Sequence, residues 1–413
     1  MGHCMKFDLF DILPVSRPGE SCLMFRVEER PGVGRCCVAA GDLQPGDLVM
    51  EDTAVMVAPG GGERLCLECG QQTEERCDHC RLTVCCEGGQ HQVECQYKFS
   101  FPSNTVTHLG VAVVRLLHLE QSWQREEVSK LMDHLEGRRC DPDWEMMETV
   151  ADCLQAGLAG SYSRAEILRT AGIVLTNTAS CNSLLGGEDK CIGLFPVFSL
   201  LSHSCVANTR RETDRGRMRV IATVHIKEGE QIVTSYKNPL LGSVSRRCHF
   251  PRVWYFDCEC ARCQDPSELG SHLSTLVCEE CGQPLLPSHP LHHNSPWSCS
   301  SCSLSISSHQ AMARCVRMYR ALLSCPSSHQ HLATLLAGLQ TVAHPQHYVL
   351  LQAKMKFVML ASSEPDVLAM QTSLCQEILS VLDLVEPGLT RRRGEILRVS
   401  TAASPASLLS KCL

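Results

Sequence analysis

From Phe25 onward, the sequence begins with short apolar segments separated by turns. Between Phe25 and Pro59 the sequence consists of the β-type segments FRVEER, CCVAA and DLVMEDTAVMVAP. Glycine-containing turns at Pro31–Gly34 and Pro45–Gly46 separate them. The pattern predicts a run of short strands, followed by a linker over residues 60–64.

A second β-type region lies between residues 217 and 236. Every second position from Met218 to Ile226 is apolar, which is the period of a half-buried strand. A turn at Lys227–Glu230 and another β-type segment, Gln231–Tyr236, follow directly. This arrangement predicts a β hairpin.

Two further regions carry apolar residues at helical spacing. In residues 105–170 these are Val111, Val114 and Leu117, then Val128, Leu131 and Leu135. Beyond residue 309 they are Leu332, Leu335, Leu336 and Leu339, then Leu350, Met355 and Val358. We expect a helical insert and a helical C-terminal region whose apolar stripes form core rather than a cofactor site. The pattern as a whole predicts an α+β protein.

The composition is average apart from cysteine. A chain of 413 residues with 44% hydrophobic residues can bury the cores of two or three domains. The 45 acidic residues outnumber the 38 basic ones, which are scattered apart from Arg391–Arg393, so we expect no direct nucleic-acid groove. No run approaches the roughly 18 uninterrupted apolar residues of a membrane span, and the first ten residues form no apolar signal core. We therefore expect no membrane segment and no secretion.

The 28 cysteines occur in groups, in a chain without an export signal. Such clustering favours metal binding over disulfides. The group from residue 66 to residue 95 offers eight ligands, enough for two ions: Cys66, Cys69, Cys77, Cys80, Cys85, Cys86, His91 and Cys95. His91 and Cys95 are four residues apart, so a helix would place both on one face.

Two other cysteine groups follow later in the chain. Two Cys-x-x-Cys pairs, separated by 17 residues, have the spacing of a four-thiolate zinc ribbon; they are Cys278, Cys281, Cys299 and Cys302. The middle group, Cys258, Cys260 and Cys263, offers only three ligands, and Cys205 is the candidate for the fourth. Three thiolates alone could form an open catalytic site, but no nearby Glu-His grouping supplies a general base for bound water.

Three motifs together carry a family resemblance: Leu200–Asn208 (LLSHSCVAN), Gly229–Tyr236 (GEQIVTSY) and Phe256–Cys263 (FDCECARC). They resemble the SET and MYND domain family of protein lysine methyltransferases, and the ribbon after the last motif looks like that of its arthropod branch. The resemblance implies a β-rich SET domain in two parts (1–59 and 166–250), with a MYND-type zinc finger (60–100) and a helical insert (101–165) between them. A post-SET zinc motif (251–268), the zinc ribbon (269–308) and a C-terminal helical domain (309–413) complete the division.

The resemblance also implies ligand sets. It places Cys205 on one zinc ion with the three post-SET cysteines. In the MYND module it assigns Cys77, Cys80, His91 and Cys95 to one site, and Cys66, Cys69 and Cys85 to another. The eighth ligand is expected near residue 89, which is Gly, and Cys86 replaces it only after local rearrangement. We therefore expect three to four zinc ions.

By the same resemblance, S-adenosyl-L-methionine is the cofactor. Its early Gly-x-Gly turn corresponds to Gly34-Arg35-Cys36 when Val38-Ala39 is aligned with the family, or to Gly32-Val33-Gly34 by pattern alone. The other positions implied to contact the cofactor are Asn177, Ser202, His203 and Phe256. Tyr236 is the implied catalytic residue, bordering the channel where a substrate lysine meets the methyl group.

Some positions depart from the family pattern. Ser202 stands where the family has Asn, and a hydroxyl offers fewer hydrogen bonds than an amide. Cys36 occupies the place of the second glycine in the first alignment. These departures motivate a second hypothesis, a catalytically weak scaffold that recruits protein partners through its MYND finger in transcriptional regulation. In either case we expect a monomer in the nucleus or cytoplasm, and the first hypothesis implies a protein substrate with a lysine side chain.

Overall fold

The computed structural model describes residues 24–31, 34–86, 89–158 and 160–402. The chain forms two compact units. The first comprises the residues up to 202 together with 209–232 and 252–255, and the second comprises 203–208, 233–251 and the residues from 256 onward. The α+β class is confirmed.

The strands are, in chain order, β1 (Phe25–Arg30), β2 (Gly34–Ala39), β3 (Leu48–Thr53), β4 (Met56–Pro59), β5 (Thr178–Ser183), β6 (Gly186–Leu194), β7 (Ser202–His203), β8 (Thr209–Asp214), β9 (Arg217–Ala222), β10 (Val233–Thr234), β11 (Leu276–Val277), β12 (Pro284–Pro287), β13 (Trp297–Cys299) and β14 (Ser305–Ile306). The helices are α1 (His91–Cys95), α2 (Asn104–Leu117), α3 (Ser122–Ser129), α4 (Leu135–Arg138), α5 (Asp143–Gly157), α6 (Arg164–Asn177), α7 (Ser243–Arg247), α8 (Phe250–Val253), α9 (Ala261–Gln264), α10 (Ser308–Ser324), α11 (His329–Leu339), α12 (Tyr348–Met359), α13 (Pro365–Val385) and α14 (Arg391–Ala402).

Three small antiparallel sheets form the β part of the first unit. They are the hairpin β1-β2, the sheet β3-β9-β8 and the sheet β4-β6-β5. The predicted strands over FRVEER and CCVAA are confirmed as β1 and β2, and the segment DLVMEDTAVMVAP divides into β3 and β4. Their inward residues, among them Phe25, Val49 and Val220, form one hydrophobic core.

The predicted hairpin between residues 217–226 and 231–236 is wrong. β9 pairs with β3 and β8 instead. The segment after β9 pairs with residues 38–43: Ile226 bridges Leu43, and Gln231 bridges Val38. Alternation along a sequence shows which side chains are half-buried, but it carries no information about the partner strand.

The predicted helical region 105–170 corresponds to α2 to α6, although α6 continues to Asn177. Its hydrophobic core also includes Met56 and Ala58 of β4 and Leu194 of β6. Serine hydroxyl caps begin two of its helices, α2 and α6. Ser103 accepts from the amide of Val106 at the start of α2, and Ser163 and Glu166 form a reciprocal capping box at the start of α6. These caps satisfy amides that have no partner inside the helix.

The second unit contains the two-residue pair β7 and β10, a four-stranded antiparallel sheet β11-β12-β13-β14, and the helices α10 to α14. The predicted stripes on α11 and α12 lie in its core. Among the described helices, α13 is long and apolar enough to cross a membrane by length and composition. Its residues Leu374, Ile378 and Val381 are packed in the hydrophobic core of the unit.

Candidate active site and metal centres

Four groups of thiol and imidazole side chains converge within the part of the chain that the structure describes. In each group the four ligand atoms all lie within 4.8 Å of one another. The groups are Cys66, Cys69, Cys85 and Cys86; Cys77, Cys80, His91 and Cys95; Cys205, Cys258, Cys260 and Cys263; and Cys278, Cys281, Cys299 and Cys302.

The spacing within these groups fits tetrahedral zinc. With zinc–sulfur bonds of about 2.3 Å, neighbouring sulfurs of a tetrahedron are about 3.8 Å apart. The Sγ–Sγ distance is 3.6 Å between Cys278 and Cys302 and 3.5 Å between Cys281 and Cys299. Disulfide sulfurs lie about 2 Å apart, so these pairs are thiols arranged around an ion-sized space. The ribbon prediction from sequence is confirmed in its geometry.

Cys86 completes the first MYND group, where the sequence left the fourth ligand open. Its Sγ lies 3.8 Å from that of Cys66, and Cys69 and Cys85 are 3.6 Å apart. Adjacent residues of an irregular loop can both point inward because the backbone is not restrained by a helix or a strand ladder. The sequence pattern placed the fourth ligand near residue 89, which is Gly. The structure places Cys86 in that role instead.

His91 serves the second MYND group through Nε2, which lies 3.5 Å from Sγ of Cys80. The helix α1 places His91 and Cys95 on the same face, as the four-residue spacing predicts. The other ring nitrogen, Nδ1, lies 3.2 Å from Oε1 of Glu94. A carboxylate on the distal nitrogen orients a metal-binding imidazole and strengthens it as a ligand.

Glu94 is fully buried, and Arg115 of α2 neutralises it. Arg115 donates from Nε to Oε2 at 3.0 Å and from Nη2 to Oε1 at 2.5 Å. Its Nη1 donates to the carbonyl oxygen of Val57 at 2.5 Å and to that of Leu67 at 3.3 Å. Burial by itself would raise the pKa of Glu94, but His91 and Arg115 outweigh it and lower that pKa. One guanidinium thereby joins the zinc finger to β4 and α2.

The post-SET group joins distant parts of the sequence. Sγ of Cys205 lies 3.9 Å from that of Cys258 and 3.6 Å from that of Cys263. Cys205 and Cys263 are completely buried. The candidate fourth ligand inferred from sequence therefore lies with the three post-SET cysteines.

An aromatic group lies beside this metal centre in the second unit. The ring of His203 is 5.2 Å from that of Tyr236 and 4.5 Å from that of Phe250, measured between centroids. Phe250 and Phe256 are stacked at 5.2 Å. Burial raises the pKa of Tyr236 to about 12, so its phenol keeps the proton at neutral pH.

The SET domain family profile matches residues 34–237, a range that ends one residue after Tyr236. This match includes the motifs Leu200–Asn208 and Gly229–Tyr236. The cysteines of the third motif, Phe256–Cys263, lie in one metal-binding group with Cys205. The chain contains a SET domain and resembles the SET and MYND domain family.

Proteins similar to this SET domain-containing chain are found in insects and vertebrates. It is 26% identical over 307 residues to SET domain-containing protein SmydA-8, isoform A, of Drosophila melanogaster, covering 68% of this chain and 65% of that protein. It is 27% identical over 254 residues to histone-lysine N-methyltransferase SMYD3 of Mus musculus, covering 55% and 58%. N-lysine methyltransferase SMYD2-B of Danio rerio is 26% identical over 260 residues, covering 57% and 59%. The matched region thus spans less than two thirds of each relative.

Other residues that the family resemblance assigns to the cofactor lie in the first unit. Gly34 opens β2 at a φ of +76°, a conformation that suits glycine, whereas Gly32 lies outside the described residues. Arg35 donates from Nη2 to the carbonyl oxygen of Lys130 at 2.8 Å. Asn177 ends α6, and its Nδ2 donates to the carbonyl oxygens of Met132 and Ile173 at 2.8 and 2.9 Å. The amide hydrogens of Asn177 are thus engaged by the chain, which leaves Oδ1 as the atom to accept from a ligand.

Ser202, the remaining predicted cofactor residue, begins β7 and is half-buried. It is the last residue of the first unit before His203. Cys36, which departs from the family glycine, is completely buried in β2 opposite Glu28.

Sequence reasoning missed the charged residues that support the candidate metal centres. Arg115 and Glu94 support the MYND finger, while Arg246 and Glu268 support the post-SET group. No spacing rule in the sequence pairs Arg115 with Glu94 or Arg246 with Glu268. Only one signal was available, namely that Glu94 stands beside Cys95 and three residues after His91, where one helical turn brings it to the imidazole.

Proposed function

We propose that this protein is an S-adenosyl-L-methionine-dependent protein-lysine N-methyltransferase. The observation that carries the proposal is the arrangement of Tyr236, His203 and Phe256 beside the buried thiolate group of Cys205, at the end of the segment that matches the SET domain. The relatives SMYD3 and SMYD2-B, which bear the name lysine methyltransferase, support the same activity.

The residues available fit an adenosyl cofactor. The stacked rings of Phe250 and Phe256 provide a flat aromatic surface for a purine. Gly34, Arg35, Asn177, Ser202 and His203 are the further positions assigned to it. When bound, S-adenosyl-L-methionine supplies an electrophilic methyl group to the substrate amine.

The chain's own contribution is to orient and desolvate the lysine. Direct displacement requires a neutral amine aligned behind the methyl carbon, and exclusion of water lowers the pKa of a lysine. The phenol of Tyr236, which keeps its proton, orients the amine through its oxygen. The bound cofactor would supply the methyl carbon and keep the electron pair of its broken carbon–sulfur bond, and the amine would release one proton to solvent.

A methyl-transfer assay tests the proposal. Purified protein is incubated with tritium-labelled cofactor and either core histones or methylation-depleted cell extract. We expect label in protein lysines, and Tyr236→Phe should lower the rate by about 100-fold while the zinc content is retained. Tyr319→Phe is the matched control, because Tyr319 is a 40% exposed residue of α10. No incorporation by the wild type, together with no calorimetric binding of the cofactor, rejects the proposal.

A second candidate function is a protein-recruiting scaffold with a weak SET site. The hydroxyl of Ser202 in place of an amide and the buried thiol of Cys36 in place of a glycine favour it. Under this alternative, Ser202→Asn would strengthen cofactor binding in calorimetry at least about tenfold, since an amide adds hydrogen bonds that a hydroxyl lacks. Tight binding of the cofactor by the wild type argues against the scaffold.

The remaining aspects of the proposal concern partners and location. The substrate is a histone or another protein with an accessible lysine. The MYND finger is proposed to bind protein partners, and the chain to act as a monomer, in the nucleus or the cytoplasm and away from membranes. Fractionation of cells with antibody detection and size measurement by light scattering test these points.

A further inference from the structure

The imidazole of His203 has a defined neighbour at each ring nitrogen. Its Nδ1 lies 3.1 Å from the backbone nitrogen of Tyr236. Its Nε2 lies 3.3 Å from Sγ of Cys205. All three residues belong to the second unit. One ring therefore stands between the candidate catalytic tyrosine and a thiolate of the post-SET metal group.

The two contacts determine where the ring proton sits. A backbone amide can only donate, so Nδ1 must accept from Tyr236 and carries no hydrogen. The proton is then on Nε2, which faces Cys205. A metal-bound thiolate is a good acceptor for this N–H group, and such outer contacts orient metal ligands.

The amide of Tyr236 lies beyond the strand pair, because the local strand is short. β10 ends at Thr234, where the carbonyl oxygen accepts from the amide of Ser204 at 3.0 Å. Tyr236 lies two residues beyond, past the end of the strand pair. Its amide is directed by a side chain rather than by a neighbouring strand.

We propose that His203 is a positioning residue: it transmits the fixed position of the zinc-bound Cys205 thiolate to the backbone of Tyr236. The inference rests on the proposed methyltransferase function and adds a role for the His203 side chain. Loss of the post-SET zinc ion would release the thiolate, loosen the ring and misalign the phenol.

Two substitutions separate the two contacts. The carbonyl oxygen of Asn reaches the position of Nδ1, so His203→Asn keeps an acceptor for Tyr236 and loses the donor to Cys205. The amide of Gln reaches the position of Nε2, so His203→Gln keeps a donor to Cys205 and loses the acceptor for Tyr236. His225→Asn is the control, because His225 is an exposed residue of the first unit whose side chain pairs with Asp42.

Three readouts follow these variants. In protein with ¹⁵N-labelled tyrosine, the Tyr236 amide resonance, assigned with Tyr236→Phe among the six tyrosines, should move less in His203→Asn than in His203→Gln. A chelator should remove one zinc ion faster from His203→Asn than from the wild type, with His203→Gln in between. In methyl transfer, His203→Gln should lower kcat by about tenfold with KM changed by less than about twofold, and His203→Asn should lower kcat by a smaller factor, because it keeps the acceptor for Tyr236 but is no longer held by Cys205.

The proposal is overturned if both variants shift the Tyr236 amide equally, or if ¹⁵N-histidine spectra of the wild type place the His203 proton on Nδ1. Equal loss of kcat and zinc in both variants would indicate a general structural role and also overturn it. Because the spectra and the zinc release require no catalysis, they decide the point even if the wild type transfers no methyl group, an outcome that rejects only the enzymatic proposal.

Discussion

Arg246 directs its Nε to Sγ of Cys205 at a distance of 3.3 Å. Both residues are completely buried, and Nη1 of Arg246 donates to Oε2 of Glu268 at 2.8 Å. Arg262 donates to the same oxygen from Nη2 at 2.8 Å. Four thiolates around a divalent ion leave two negative charges, and two arginines with one carboxylate supply a net charge of plus one close by. Burial by itself would lower the pKa of Arg246, but Glu268 and the neighbouring thiolates outweigh it and raise that pKa.

Replacement of Arg246 should weaken zinc binding at the post-SET group. We expect Arg246→Met to destabilise the second unit by about 3–5 kcal/mol, because it leaves Glu268 and the thiolates without their buried partner. Zinc per chain, measured by elemental analysis after a chelator challenge, should fall by one. Arg314→Gln is the control, since Arg314 pairs with the exposed Glu279 near the ribbon. Unchanged zinc retention in Arg246→Met would contradict the role in charge compensation.

The MYND finger should depend on Glu94. In Glu94→Gln the amide keeps one acceptor but loses the charge, so His91 becomes a weaker ligand and Arg115 is left with an uncompensated buried charge. We expect the zinc affinity of this site to fall by about 10- to 100-fold in a competition titration with a chromogenic chelator. The exposed Glu74 provides a control, Glu74→Gln, which should titrate as the wild type does.

Cys86 should hold a metal ion. Native mass spectrometry of the wild type should give four zinc ions, and Cys86→Ser should give three, because a serine hydroxyl is a poor zinc ligand at neutral pH. The exposed Cys140 offers the comparison Cys140→Ser, with an expected count of four. Four ions in Cys86→Ser would show that another group serves as the ligand.

Asp52 should make the stability of the first unit depend on pH. Burial raises its pKa from 3.8 to about 6, although the backbone amides of Phe198 and Val197 lower it in part. Between pH 3.8 and about pH 6, the folded chain therefore holds a proton on Asp52 that the unfolded chain has released. The contribution of this proton to the free energy of unfolding is fully present below pH 3.8 and is lost as the pH rises through about 6. In Asp52→Asn one oxygen still accepts from both amides, as Oδ2 does in the wild type at 2.7 and 2.9 Å.

Urea unfolding followed by tryptophan fluorescence measures this effect. The free energy of unfolding of Asp52→Asn minus that of the wild type should increase by about 1–2 kcal/mol between pH 5 and pH 8. Titration of the zinc ligands affects both proteins equally and cancels in the difference. Glu51→Gln, at a 45% exposed side chain, should give a flat difference, and a flat line for Asp52→Asn would show that its pKa is not raised.

The candidate site was predictable to the extent that its residues lie in motifs. Cys-x-x-Cys pairs and the spacing from His91 to Cys95 identify ligands because two side chains of one short turn can face the same ion. Cys86 was a candidate ligand, but its place in the first MYND site was left open, since a loop without a periodic backbone gives no rule for the direction of a side chain. The false hairpin at residues 217–236 failed for a related reason: alternation indicates burial, while the pairing of β9 with β3 brings together residues more than 150 positions apart.

The amino-acid sequence by itself determined the α+β class, the resemblance to the SET and MYND domain family and the candidate ligands of the four metal groups, because these depend on short-range spacing and on the chemistry of thiols. Only the tertiary structure decided what lies behind the ligands: Arg115 on Glu94, Arg246 on Cys205, and His203 between Cys205 and Tyr236. A buried charge must find a partner wherever the fold brings one, and that partner is selected by proximity in space rather than by position in the chain.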